Sequence, residues 1–369
     1  ITGGGNGLQN QTVELDTLQN LYDEWFEVRL KDIDKLDEIK TKIDSIVKHI
    51  KGYIFTHPEY WLISLGHDVI LENLSEAAVS LDQLEKLGTD KLNDKQKYYY
   101  YLFKACYLLL KGEYKIALDK FHIAADKLVH VPNRIEKAEF FLKLGTIYYH
   151  IRKTIESIHY ISNALNLFKT ENGYDRRIAT CEIALGLNSV NLHQWEEAEE
   201  RFYNALNYAN KDNSMRSLIY HDLGLLYAEQ NMSKAAIHWL TESISGNSPN
   251  YKTIYLIARE YYKLGKINEA ENWLKKGLNI AQKENLPTYQ IRFNLLKVLY
   301  TESDKEMTEK TLKEGINHFL NENDWNYVEE YSKYLADYYA ANQKYQEAVQ
   351  YYQLMIKAQN KISELGALK

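Results

Sequence analysis

An all-α fold made of repeated antiparallel helix pairs, of the tetratricopeptide kind, is predicted by three observations. Helix breakers are scarce, one spacing of small residues recurs six times in phase, and three of the prolines sit between periodic stretches rather than inside them. On the first point, the 369 residues include only 4 Pro and 17 Gly, with 45% hydrophobic and 26% charged residues. That balance is globular and rich in helix formers. A chain of this length would strain a single core, but a repeat array avoids the limit because each repeat packs only on its neighbours.

The second observation is the repeat itself. In a tetratricopeptide unit the second helix carries a small residue, a bulky one four positions on and a small one three further, all on one face. Ala117, Phe121, Ala124 and Ala198, Phe202, Ala205 follow that pattern. So do Ser157, Ile161, Ala164; Ala236, Leu240, Ser243; Ala270, Leu274, Gly277; and, more loosely, Ala348, Tyr352, Met355. Twelve residues before each leading position stands another small residue: Ala105, Gly145, Gly186, Gly224, Ala258 and Ala336. Glycine inside a helix costs about 1 kcal/mol against alanine, so three at one repeat position imply close helix crossing. The leading positions from Ala117 to Ala270 are 40, 41, 38 and 34 residues apart. The gap of 78 from Ala270 to Ala348 leaves room for a degenerate repeat across 288–320. Pro132, Pro249 and Pro287 fall between the helical patterns, where proline can open a helix.

Ahead of the repeats, residues 12–30, 33–55 and 60–80 show amphipathic helical spacing, with Leu15, Leu18, Leu21, Trp25 and Leu30 in the first. They predict a small three-helix bundle over 12–92, followed by a right-handed superhelical solenoid over 93–369. Residues 1–11, with glycine at 3, 4, 5 and 7, read as a linker or cloning scar.

The net charge of −6 lacks the basic footprint that phosphate contacts require, so the chain is not expected to bind DNA by itself. Cys106 and Cys181 are too few for a disulfide framework or a metal cluster and fit a reducing cytoplasm. No apolar run approaches a membrane span. No H-E-x-x-H, C-x-x-C or G-x-S-x-G motif occurs, and the histidines lack a second ligand at helical spacing. Neither a metal, a cofactor nor a catalytic residue is expected.

What remains is binding along the face formed by the first helix of each pair. Its candidate polar residues are His150, Asn188, Asn191, Asp222, Arg259, Tyr262 and Lys263, with Glu229 beside them. An asparagine amide both donates and accepts, so it can bond the backbone of an extended peptide of any sequence. A competing reading is a scaffold for the C-terminal tail of a larger protein, but no Lys/Arg clamp recurs at these positions.

The segments Arg134 to Phe141 with Gly145 and Tyr148-Tyr149, Gln194 to Ala198, and Tyr262 to Ile267 closely resemble the Rap proteins of bacilli. Rap proteins belong to a wider group of peptide-pheromone receptors that includes the DNA-binding regulators NprR and PlcR, and the resemblance runs from about residue 12 onward. It implies a cytoplasmic quorum-sensing receptor whose groove takes an imported signalling peptide of roughly five to seven residues. Homodimers or higher homo-oligomers are implied too. Some relatives act on response regulators through the N-terminal bundle; others carry a helix-turn-helix domain ahead of the repeats.

Within the resemblance, Asn188 keeps the family's residue. Asn191 stands where Rap proteins have an aspartate that pairs with a peptide arginine, and Asp222 stands where they have an asparagine. Arg259 or Lys263 is then expected to meet an acidic peptide residue. The phosphatase glutamine of the family falls near Ile54, where no amide or carboxylate is available. The chain is therefore expected not to be an enzyme. It reads as the sensor region of an NprR-like regulator of transcription or sporulation, with any DNA contact made by a domain outside this chain and a sporulation response regulator as a possible partner of the bundle. The alternative is a Rap-type aspartyl-phosphate phosphatase, or a protein that sequesters response regulators.

Overall fold

The computed structural model describes residues 5–50, 52, 57–210, 212–245, 250–301 and 305–366. Among them every regular element is helical. The chain divides into two compact units, 1–181 and 182–369, and the division falls inside one helix.

The first unit opens with α1 (Gly5–Val28), α2 (Ile33–Val47), α3 (Pro58–Ile70) and α4 (Leu74–Leu87). The expected three-helix bundle is thus four helices. The stretch read as one helix over 60–80 breaks at Leu71–Asn73, where Glu72 takes a positive φ of 59°. The helix α1 also begins at Gly5, so it runs into the segment expected as linker. Two helix pairs follow: α5 (Asp94–Leu110) with α6 (Tyr114–Lys127), and α7 (Arg134–His150) with α8 (Thr154–Phe168). Asn93 and Gln96 form a reciprocal capping box that starts α5.

Bundle and repeats share one core in this unit. Trp25 of α1 is fully buried and meets Phe103 of α5 edge-on at 6.2 Å. Gly66 of α3 lies directly beneath both rings, so any side chain there would collide with them. Charge is buried as well. Arg29, 2% exposed, sends its Nη2 to both carboxylate oxygens of Glu136 on α7 at 2.6 Å each. Its guanidinium stands over the rings of Phe26 and Tyr99. Next to this pair, Glu139 meets Arg177 at 3.2 Å and Lys143 at 3.7 Å. Burial pushes the Glu139 carboxyl up, but Arg177, Lys143 and Arg29 outweigh it and hold the group below its ordinary range.

Helix α9 (Asp175–Asn191) carries the division between the units. The second unit continues with α10 (Trp195–Ala209), α11 (Asn213–Glu229), α12 (Ser233–Ile244), α13 (Tyr251–Lys263) and α14 (Ile267–Lys283). It ends with α15 (Pro287–Tyr300), α16 (Lys305–Asn321), α17 (Trp325–Ala341) and α18 (Tyr345–Gly366). Each small residue of a first helix faces the bulky residue sixteen positions on. A Cβ at Gly186 would lie 2.6 Å from Phe202, and one at Gly224 would lie 2.5 Å from Leu240. The missing side chains therefore let each pair close. The degenerate repeat expected over 288–320 is the pair α15 and α16. Leu296 holds its small-residue position, with Thr308, Leu312 and Gly315 in the second helix.

Candidate functional site

In the second unit α11 packs on α13 and α13 on α15, and side chains of α13 and α15 reach α17. These are the first helices of successive pairs, so their residues form a row. Asp222 sits on α11 two positions before Gly224. It is buried, and its Oδ2 has no hydrogen-bond partner. With no cation near, burial alone lifts its carboxyl from an ordinary value of 3.8 to about 8. The adjacent His221 accepts or donates through Nδ1 to the Thr253 hydroxyl at 2.9 Å, tying α11 to α13. Burial, helped by Lys252, pushes that imidazole down to about 4.

On α13, Arg259 and Lys263 are brought together, but by their own helix. Glu260 is fully buried, and its Oε1 takes Arg259 Nε at 2.9 Å and Lys263 Nζ at 3.0 Å. Its Oε2 accepts from the Ser233 hydroxyl at 2.7 Å. Arg259 also lies 3.6 Å from Glu229. The spacing explains this: residues three apart share a helix face, so Glu260 reaches Lys263 directly. Both cations expected to await an acidic ligand already have an anion. Tyr262 is buried, stacks on Tyr300 at 5.6 Å and donates to Glu271 at 3.1 Å, which is a packing arrangement between α13, α14 and α15.

The two asparagines of α9 part company. Asn188 is fully buried and donates to Ala184 O one turn back at 2.8 Å, whereas Asn191 is exposed at the helix end. His150 belongs to the first unit, where its ring stacks on Tyr114 at 5.1 Å.

Sequence reasoning missed Arg292 on α15. Its guanidinium lies 4.2 Å from the centre of the Tyr255 ring, 4.3 Å from Tyr327 and 4.9 Å from Tyr289. Nη1 donates to the Tyr327 hydroxyl at 2.9 Å, while the buried Nε has no partner. Tyr255 and Tyr331 close the side of the box through a hydroxyl contact of 3.3 Å. No carboxylate of the described residues lies within ion-pair distance of Arg292. Asp324 and Glu330 stand farther off, and burial holds both carboxyls above their ordinary range despite Arg292. No sequence motif marks this box, because three helices from three pairs supply it.

In the bundle, Ile54 lies outside the described residues. Gln96 was not considered from the sequence, yet its amide reaches Glu59 in the first turn of α3, and its carbonyl oxygen is engaged in the α5 cap. A polar cavity of about 360 Å³ between α2, α3 and α4 is lined by Asp37, Lys40, Asp44, Tyr60, His67 and Asp68 among others. Burial lifts the Asp68 carboxyl there to about 6. Among the described residues no group of His, Cys, Asp or Glu is placed to hold a metal, and no helix is long and apolar enough to cross a membrane. Cys106 and Cys181 are buried and form no disulfide, and burial pushes the Cys106 thiol up to about 11.

The family model for anaphase-promoting complex, cyclosome, subunit 3 matches residues 191–277, a helix-repeat stretch. The chain is 25% identical to response regulator aspartate phosphatase I of Bacillus subtilis (strain 168), over 97% of this chain and 94% of that protein. Among solved structures, a Rap protein complexed with competence and sporulation factor superposes with TM-score 0.82 at 22% identity, covering 95% of this chain and 99% of that one. NprR in complex with its cognate peptide NprX superposes at 0.70 with 22% identity, covering 92% and 99%. The likeness to the Rap and NprR group therefore holds over nearly the whole chain, with a tetratricopeptide fold in common. One expectation is overturned. The absence of a glutamine near Ile54 suggested a protein without enzymatic activity, but a relative spanning almost the full length is named an aspartate phosphatase. A single missing side chain in a loosely aligned bundle was too little to exclude the chemistry.

Proposed function

We propose that this Rap/NprR-like chain is a cytoplasmic regulator that takes a short extended oligopeptide along the first helices of its second unit and acts on an aspartyl-phosphorylated response regulator. The observation that carries the peptide half is Asp222, a buried carboxyl group in the middle of that row with an oxygen that has no hydrogen-bond partner among the described residues. Buried polar atoms are nearly always hydrogen-bonded, and an exception on a binding face calls for a ligand. A raised carboxyl can donate as well as accept, as the family's asparagine does, so Asp222 suits a peptide backbone. Asn191, exposed at the end of α9, is placed to add a second amide contact.

The response-regulator half rests on likeness to the phosphatase relative. Peptide and response regulator are then antagonists acting through different parts of one chain. Control of transcription through a further DNA-binding domain, as in NprR, is the second reading; likeness to NprR at 22% identity supports the fold shared with it. Homo-oligomerisation belongs to the same proposal.

Two measurements test this. Calorimetry of the chain against synthetic oligopeptides should give a complex that Asp222→Ala weakens at least about ten-fold, the scale of one buried hydrogen bond left unmade. Phosphate release from a phosphorylated response regulator should rise on adding the chain and fall again with the bound peptide. A chain that binds none of the peptides and leaves the phosphorylated regulator's lifetime unchanged would sink both halves.

A further inference from the structure

Unit two contains a cation that forms no ion pair among the described residues. Arg292 is held between the faces of Tyr255, Tyr289 and Tyr327, at 4.2 to 4.9 Å from their centres. One terminal nitrogen is anchored on the Tyr327 hydroxyl, which fixes the plane of the guanidinium. Among the described residues the buried Nε has no acceptor, and Nη2 makes no hydrogen bond. Nε and one Nη form the edge that meets a carboxylate with two parallel hydrogen bonds. The aromatic faces stabilise the charge but satisfy none of its N–H groups. Its nearby cations are handled otherwise: Arg259 and Lys263 already share Glu260. Asp324 and Glu330, the remaining carboxyls near Arg292, form no ion pair with it; burial raises both carboxyls and Arg292 opposes that rise.

We propose that the tyrosine-boxed guanidinium of Arg292 receives a carboxylate of the bound oligopeptide. The inference rests on the peptide-binding reading above and adds the chemistry of one end of the ligand. It also sets a spacing. Asp222 lies on α11 and Arg292 on α15, with α13 between them. Helices pack about 8–10 Å apart, so the two groups are roughly 16–20 Å apart along the row. An extended chain advances about 3.3 Å per residue, so about five or six residues separate the group at Asp222 from the carboxylate at Arg292. Arg292 thereby fixes the direction in which the peptide lies.

The carboxylate has two sources, the peptide's C-terminus or an aspartate or glutamate side chain, and the test separates them. Positional-scanning hexapeptide mixtures are titrated into the full chain in four forms: free or amidated C-terminus, with or without acidic residues. The expected result is binding that falls roughly ten- to a hundred-fold when one of these two carboxylates is removed, the cost of a lost charge-assisted pair. Arg292→Gln should erase that difference, Arg292→Lys should restore part of it, and Tyr327→Phe should halve it while keeping the ring. Circular dichroism and a thermal melt on each variant show that it is folded; Arg292→Lys and Tyr327→Phe carry the test if Arg292→Gln does not fold. Binding that ignores both carboxylates, or a preference that survives in all three variants, overturns the Arg292 assignment and leaves the peptide reading standing. Absence of binding by every mixture overturns the peptide reading and this inference with it.

Discussion

Each unit sets an arginine against tyrosines, buried in the first and half-buried in the second, and the two are treated differently. In the first unit Arg29 lies over Tyr99 and has its counter-charge at 2.6 Å in Glu136. In the second, Arg292 lies among three tyrosines and forms no ion pair among the described residues. The first arrangement is closed in charge: an anion is matched to it across helices that join α1 to the repeats, although Arg29 Nε and Nη1 are themselves buried without a hydrogen-bond partner among the described residues. The second is open, and so is Asp222, whose unmet carboxyl lies on the same row. Burial of charge by itself therefore does not distinguish a structural pair from a binding site. The presence or absence of the partner does.

The largest effect is expected from opening the closed pair. Glu136→Ala leaves Arg29 buried without an anion, and such stranding costs about 3–5 kcal/mol. Urea unfolding should show that loss in the transition that reports on Trp25; a loss below about 1 kcal/mol would mean the pair is not the closed element described here. The double replacement Arg29→Met with Glu136→Leu should recover most of it, since well-packed apolar groups can replace a buried ion pair.

Closing the open carboxyl comes next. Asp222 has an ordinary value of 3.8 and about 8 in the fold. A raised folded value means the native state holds the proton more tightly, so the stability it contributes is full below about pH 4 and is lost as pH rises through about 8. Asp222→Asn has no such titration. The variant should be more stable than the parent above pH 8 by on the order of 2 kcal/mol, and the gap should shrink toward pH 5. Thermal melts from pH 5 to 9 measure it, and parallel pH profiles for the two proteins would contradict it.

The smallest change is expected at Arg292. Arg292→Met breaks no ion pair and loses its contacts with the rings and its bond to the Tyr327 hydroxyl, about 1–2 kcal/mol of stability. A stability loss as large as that of Glu136→Ala would place Arg292 with Arg29 as a structural charge and remove the contrast.

Much of the fold is legible in the sequence because its packing is local. The twelve-residue offset between Gly186 and Ala198, or Gly224 and Ala236, is the path from one close crossing to the next, and it needs no distant partner. The pair α15 and α16 is harder to see because Leu296 occupies the small position, and Gly315 takes Leu295 against it instead. The break between α3 and α4 is hidden because Glu72 is not a residue that advertises a positive φ. The binding face is less legible. Asp222 could be named, but its burial without a partner depends on what α13 brings near it. Arg259 and Lys263 both reach the buried carboxylate of Glu260, a pairing that shows only once the helix face is built. Arg292 carries no local pattern at all; its box is made by residues 35 to 39 positions distant or one turn away on three helices.

The twelve-residue offset also says where this chain tolerates a change of length. Repeats differ in size, yet Gly145 to Ser157, Gly186 to Ala198 and Gly224 to Ala236 are each separated by twelve, so every gain or loss falls between pairs. Within a pair the turn is short and set by one left-handed residue, Arg152, His193 and Asn231 in these three cases. One residue added there would rotate the second helix by about 100° and carry Ile161, Phe202 or Leu240 away from its glycine. A tag or a label inserted at 170–173, between α8 and α9, meets no such constraint. Gaps in an alignment of such chains should gather between pairs for the same reason.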